Sequence, residues 1–167
     1  MPIDIRFTDS FNSSSAAKVA DFLRQPRLYI DTQADYGSAH QDWVERTEHD
    51  LVMGRKFGIA AIEAGQVVGS AIAKIESPES VGIRNISMSP EVRRRDFGRF
   101  STVQLLYIVQ QELPDVSRVV VDTKPENRAM VEFLKKLKFR EVGLEDLYSS
   151  GQPDLVLERT VSQSKAD

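Results

Sequence analysis

The sequence predicts a mixed α/β fold, an α+β arrangement with about seven strands and four helices in a single domain. Three observations predict it. A strong β-hairpin signal, Phe57 to Glu76, turns at Ala64-Gly65-Gln66. A strand, a basic turn and a helix follow between Val81 and Leu113. A second strand and helix, from Arg118 and from Asn127, precede two closing strands.

The elements follow in chain order. Ile3, Ile5 and Phe7 alternate with polar residues, the period of a half-buried strand. Asn12-Ser13-Ser14-Ser15 offers N-caps for a helix reaching about Arg24, with Ala16, Val19, Ala20 and Leu23 on one face. Gln25-Pro26 ends it. Leu28 to Leu51 is the least legible segment. Tyr36 to Leu51 fits a helix through Trp43, Val44, Thr47 and Leu51. His40 and His49 are not on one face and no carboxylate completes a ligand set, so both are expected to be surface or structural.

Val81 to Met88 is a strand whose apolar parity changes from odd (Val81, Ile83) to even (Ile86, Met88). That switch predicts a bulge, or else an exposed isoleucine. Arg99 to Leu113 is a helix, with Val103, Leu106 and Gln110 on one line and Leu105, Ile108, Val109 and Leu113 broadening it. Arg118 to Asp122 is expected to be a fully buried strand. The helix from Asn127 carries Met130, Val131, Leu134 and Leu137 as its stripe, with Lys135, Lys136 and Lys138 toward its end. Phe139–Gly143 and Asp154–Arg159 are the closing strands. The single domain is expected to span residues 1–161, and the polar tail 162–167 to be disordered.

Composition bounds the chemistry. The chain has 167 residues, 41% hydrophobic and 28% charged, the profile of one globular domain. A net charge of −3 gives no argument for nucleic acid or a membrane surface as partner, and neither is expected. The absence of cysteine removes disulfides, thiolate metal sites and a thiol nucleophile. No apolar run reaches membrane-spanning length and no signal-peptide pattern opens the chain, so a cytoplasmic address is expected.

The stretch with chemical promise is Ile86 to Phe100. Ser89-Pro90 stops the strand, three arginines follow (Arg93, Arg94, Arg95), and then a helix begins. Unpaired N–H groups, the helix dipole and guanidinium donors together make an anion site. The plainer alternative is an ordinary β–α turn with solvated arginines.

Arg93-Arg94-Arg95-Asp96-Phe97-Gly98 resembles the Arg/Gln-x-x-Gly-x-Gly/Ala motif of the GCN5-related N-acetyltransferase (GNAT) superfamily. The preceding Ile-Ser-Met-Ser-Pro-Glu-Val-Arg is similar to that family's strand end, and Asn127 to Phe139 to its later asparagine–leucine–phenylalanine block. The resemblance spans roughly Ile3 to Glu158. It implies a GNAT-like sheet with a splayed parallel pair at its centre and acetyl-CoA or coenzyme A as cofactor. The diphosphate would lie on the N–H groups from Arg94 to Arg99, across Asp96, Phe97 and Gly98. The pantetheine arm would run along Ser87 and Met88. Asn127 would bond that arm or the turn around it, or else be a plain N-cap.

The resemblance also implies direct acyl transfer to an amine, with a base, an oxyanion hole and often a tyrosine acid. The sequence departs from the pattern at four places. Asp96 replaces the motif's first glycine, and Leu134 replaces the tyrosine. Gly82 stands where a carboxylate is often found, and Lys138 replaces a small residue. Glu76 is the candidate replacement base, directly or through water, against the alternative of a solvated strand end. Tyr148 is the candidate acid, ahead of mid-helix Tyr107. The expected function is acyl-CoA-dependent N-acyltransfer to a small-molecule or peptide amine. The alternative is an impaired CoA-binding or regulatory module. A homodimer is left open, the acceptor is not legible, and Asp31, Asp35, Asp42 and Glu45 are either a cation-attracting or a solvated acidic face.

Overall fold

The computed structural model describes residues 5–25, 38–89, 97–147 and 151–161, without the side chains of residues 5–8, 38, 39 and 85. Among these residues there are seven strands and four helices. They are β1 (Ile5–Thr8), α1 (Ser13–Leu23), α2 (Ser38–Met53), β2 (Lys56–Glu63), β3 (Gln66–Ser77), β4 (Ser80–Met88), α3 (Phe97–Glu112), β5 (Arg118–Thr123), α4 (Arg128–Lys136), β6 (Arg140–Glu145) and β7 (Asp154–Thr160). The strands form one mixed sheet in the order β1-β2-β3-β4-β5-β7-β6. The chain divides into two compact units, residues 1–74 with 85–105, and residues 75–84 with 106–167.

The first unit is built on antiparallel pairing. Ala64 and Gly65 both take positive φ, 51° and 76°, which matches a two-residue hairpin turn to the twist of β2 and β3. Asn12 caps α1 through a reciprocal capping box with Ser15, its Oδ1 accepting from the Ser15 N–H at 2.9 Å. The expected face of α1 is the buried one: Ala16, Val19, Ala20 and Leu23 join Val44, Leu51, Ala60, Val67 and Ile72 in one apolar cluster. His40 is buried and structural, its Nε2 lying 3.1 Å from the Leu23 carbonyl oxygen, and His49 is exposed. Lys56 is buried too. Its Nζ donates to Thr47 Oγ1 at 2.7 Å and lies 5.1 Å from the Trp43 ring centre. Burial lowers its pKa to about 8, against the pull of Asp50.

In the second unit β4 and β5 run parallel, paired from Ser80–Arg118 to Ile83–Val121, and β7 pairs antiparallel with both β5 and β6. At the β3–β4 turn the Glu79 carbonyl accepts from the Ser117 N–H at 2.8 Å and the Arg118 N–H at 3.2 Å. The Ser117 carbonyl in turn accepts from the Val161 N–H at 2.8 Å. Strand β5 is not fully buried as expected: Val119, Val121 and Thr123 are buried, while Val120 and Asp122 between them are only half-buried. The strand has one well-covered face, which β-branched composition alone does not distinguish from two.

Helix α4 closes with a Schellman motif. Phe139 N–H donates to the Leu134 carbonyl and Lys138 N–H to that of Lys135, each at 3.0 Å, with Lys138 at φ 70°. Asp154 is buried beside Lys124, 3.3 Å away, and burial pushes its carboxyl above the usual range despite that partner.

Helix α3 corrects the expected stripe at Val103. Val103 is 44% exposed and Tyr107 58%, whereas Ser101 and Thr102 are fully buried along with Leu105 and Val109. Both hydroxyls donate to the Gly98 carbonyl, at 3.1 and 2.7 Å, which satisfies them inside their own helix. Leu105, Leu106 and Val109 of the expected stripe are buried, so apolar periodicity fails at Val103 and misses the two hydroxyl residues. The bulge expected in β4 falls across Asn85, whose side chain is outside the described residues, and so does the tail 162–167.

Candidate active site

The first unit holds the strand end and the helix start. β4 keeps its bond to β3 beyond its last residue, with Ser89 N–H donating to the Val68 carbonyl at 2.8 Å. Ser87 and Met88 are half-buried there. The first residues of α3 press onto this corner. The Phe97 ring covers Gly69 so closely that a Cβ there would meet three ring carbons at 2.7 to 3.1 Å. A Cβ on Gly98 would lie 3.2 Å from Met88 Cε. Gly98 therefore lets the helix approach the strand, a steric need as concrete as any phosphate contact. Arg99 and Phe100 in the same turn are exposed. So Met88, Phe97, Gly98 and Arg99 are brought together. Arg93, Arg94, Arg95 and Asp96 lie outside the described residues.

These residues fit an anionic cofactor. The positive end of the α3 dipole lies beside exposed Arg99, and Gly98 carries no side chain to bar the approach.

The second unit holds the candidate base. Glu76, near the end of β3, directs its carboxylate over Gly82 of β4: a Cβ at position 82 would lie 2.6 Å from Glu76 Oε1. Arg84 Nε donates to that same oxygen at 2.7 Å, and Arg84 Nη1 donates to Asp122 Oδ1 at 3.2 Å. Glu76 is exposed as a residue, and its side chain, 27% exposed, is held by Arg84. Sequence reasoning missed Arg84 and Asp122. The available signal was two opposite charges interrupting apolar runs in β4 and β5.

Asn127 caps α4, its Oδ1 accepting from the Met130 N–H at 3.4 Å. The plain capping role is thus present, and the Nδ2 group takes no part in it. Leu134, where the resemblance expects a tyrosine, is fully buried. Tyr148 lies outside the described residues, as do Asp31 and Asp35, while Asp42 and Glu45 are exposed. Among the described residues no group of His, Asp and Glu side chains could hold a metal ion, and no helix is long and apolar enough to cross a membrane.

The model of the acetyltransferase (GNAT) family matches residues 17–139. The chain belongs to the GNAT family. Solved structures agree on the fold. A GNAT-family acetyltransferase from Streptococcus pneumoniae superposes with a TM-score of 0.74 at 14% identity, covering 95% of this chain and 100% of that one. The ribosomal-protein-S18-alanine N-acetyltransferase of Escherichia coli gives 0.72 at 13%, covering 98% of each. The PaiA N-acetyltransferase of Thermoplasma acidophilum, solved with coenzyme A, gives 0.64 at 15%, covering 96% of this chain and 99% of that one. No curated protein matches the sequence. At such identities the likeness speaks for the GNAT fold and leaves the substrate to chemistry.

Proposed function

We propose that this GNAT protein transfers an acyl group, acetyl first of all, from acyl-CoA to a peptide or small-molecule amine. The observation that carries the proposal is the seating of Gly98 against Met88, which sets the first turn of α3 beside the end of β4. In this reading the N–H groups of that turn and Arg99 hold the diphosphate, with Arg93, Arg94, Arg95 and Phe97 around it, and the backbone of Ser87 and Met88 pairs with the pantetheine arm. Asn127 offers its Nδ2 group to the same arm. The Asp96 carboxylate would repel the diphosphate unless Arg93, Arg95 or Arg99 neutralises it or it points away.

Glu76 takes one proton from the acceptor ammonium. The freed nitrogen lone pair then forms the C–N bond at the thioester carbon, the C–S bond breaks, and the sulfur leaves with its electron pair. The second nitrogen proton goes to solvent, and Tyr148 supplies a proton to the thiolate. Two carboxylates around one guanidinium leave this cluster one negative charge, which suits a cationic acceptor. A cytoplasmic, nucleic-acid-free protein is part of the proposal, and a homodimer is compatible with it.

The test is release of free thiol from acetyl-CoA by the purified protein in the presence of a polyamine, a lysine-containing peptide and a peptide with a free N-terminus. Release with any of them supports transfer. Calorimetric titration with coenzyme A that shows binding, alongside no release with any amine, supports the second reading of an impaired CoA-binding module. Buried Leu134, which has no proton to give, is the observation in favour of that second reading. Absence of CoA binding rejects both.

A further inference from the structure

We propose that Arg84 is a positioning residue for acyl transfer, acting across the clearing that Gly82 leaves in β4. The inference rests on the acyltransfer reading above. It names what fixes the base rather than the base itself.

A glutamate near the end of a strand has three rotatable side-chain bonds and no reason to keep one conformation. Here the carboxylate is held at two points. Arg84 Nε donates to Glu76 Oε1 at 2.7 Å, and the absent side chain of Gly82 leaves the volume in which that oxygen sits, 2.6 Å from where a Cβ would stand. The guanidinium is fixed in its turn, because Nη1 donates to Asp122 Oδ1 at 3.2 Å. The Asp122 side chain is only 8% exposed, so water competes weakly for its bond to Arg84, and the guanidinium is anchored from that side. Three neighbouring strands thus contribute one group each, and the planar fork of arginine is what lets one residue address both carboxylates in fixed directions.

The consequence is a carboxylate that belongs to β3 and stands over β4. Its oxygen lies one Cβ-to-carboxylate reach from position 82, so an aspartate introduced there would deliver a carboxylate to the same place without the clamp. An ion pair that serves stability alone makes no such prediction.

The experiment uses the full chain, acetyl-CoA and the three amines named above, with steady-state thiol release, CoA calorimetry and thermal melting on every variant. Arg84→Met should lower kcat by about 100-fold, the scale of a misplaced acid–base group, with the CoA Kd changed by less than about twofold. Arg84→Lys should recover only part of the loss. Glu76→Gly should be as impaired as Arg84→Met. Glu76→Gly combined with Gly82→Asp should regain about tenfold or more, and adding Arg84→Met to that pair should cost far less than it does in the native background.

A wild-type kcat in Arg84→Met, with only a lowered melting temperature, overturns the proposal and leaves the acyltransfer reading intact. If Arg84→Met does not fold, the pair decides: no gain over Glu76→Gly overturns the proposal. If the native protein turns over no amine, the parent reading and this one fall together, and the CoA titration separates that case from a failed assay.

Discussion

The Glu76 carboxylate lies against the backbone of Gly82, so close that a Cβ at position 82 would stand 2.6 Å from its Oε1. Such a distance is not tolerated, yet the atom in the way is the far end of a flexible side chain. Gly82→Ala should therefore fold, with a stability change within about 1 kcal/mol. It should displace Glu76 and loosen its bond to Arg84. Thiol release from acetyl-CoA should fall while CoA affinity, read by calorimetry, stays level. Unchanged turnover would remove Glu76 from the mechanism.

Gly69 gives the opposite case. A Cβ there would meet three carbons of the buried Phe97 ring at 2.7 to 3.1 Å. A ring packed under a helix start cannot swing aside as a carboxylate can. Gly69→Ala should cost about 1–3 kcal/mol, as overpacking does, and should shift the first turn of α3. Urea unfolding measures the first effect and CoA affinity the second, which should weaken.

Lys138 occupies the left-handed C′ position of the α4 Schellman motif, at φ 70°. A side chain there costs roughly 1 kcal/mol relative to glycine, offset in part by the looser unfolded chain. Lys138→Gly should raise the melting temperature by a few degrees. A fall would mean that the lysine makes a compensating contact.

Lys56 predicts a pH dependence. Its pKa in the folded chain is lowered to about 8, from 10.5. Between those values the unfolded chain binds more protons at this site than the folded one. The site's contribution to stability therefore rises with pH through that window and is least favourable below pH 8. Asp50 opposes the shift, and Lys74 and Arg46 add to it. Denaturant midpoints of the native chain minus those of Lys56→Met should climb from about pH 8 to 10.5. A flat difference would show that Lys56 stays charged in place.

Most of the fold was legible because its cues are local. Asn12 to Ser15 announced a helix N-cap, Ala64-Gly65 a tight hairpin turn, and Asn127 a helix start, and each is found where its chemistry requires. The departures from expectation arise where a neighbour decides. Ser101 and Thr102 could be buried because Gly98's carbonyl accepts both hydroxyls, which an apolar count of α3 cannot register. Val120 is half-buried because β5 has one better-covered face, though its sequence suits two. At the candidate site, Glu76 was visible as a carboxylate near a strand end. Its clamp was not, since Arg84 and Asp122 are 38 residues apart and only pairing of β4 with β5 makes them neighbours. The motif of three arginines was the plainest signal of all, yet its residues up to Asp96 lie outside those described, so their part in the site rests on resemblance.

The Pro78–Glu79 bend is exposed and polar, and by those signs it would be a natural place to cut the chain or graft a tag. The peptide oxygen of Glu79 denies it that freedom, because it holds the amides that open β5, and Ser117 passes the attachment on to Val161. New termini or an inserted reporter at this bend would unfasten the start of β5 and, through Ser117, the end of β7. The Ala64–Gly65 bend, where Gly65 faces open space, is the better joint for anyone rebuilding the molecule.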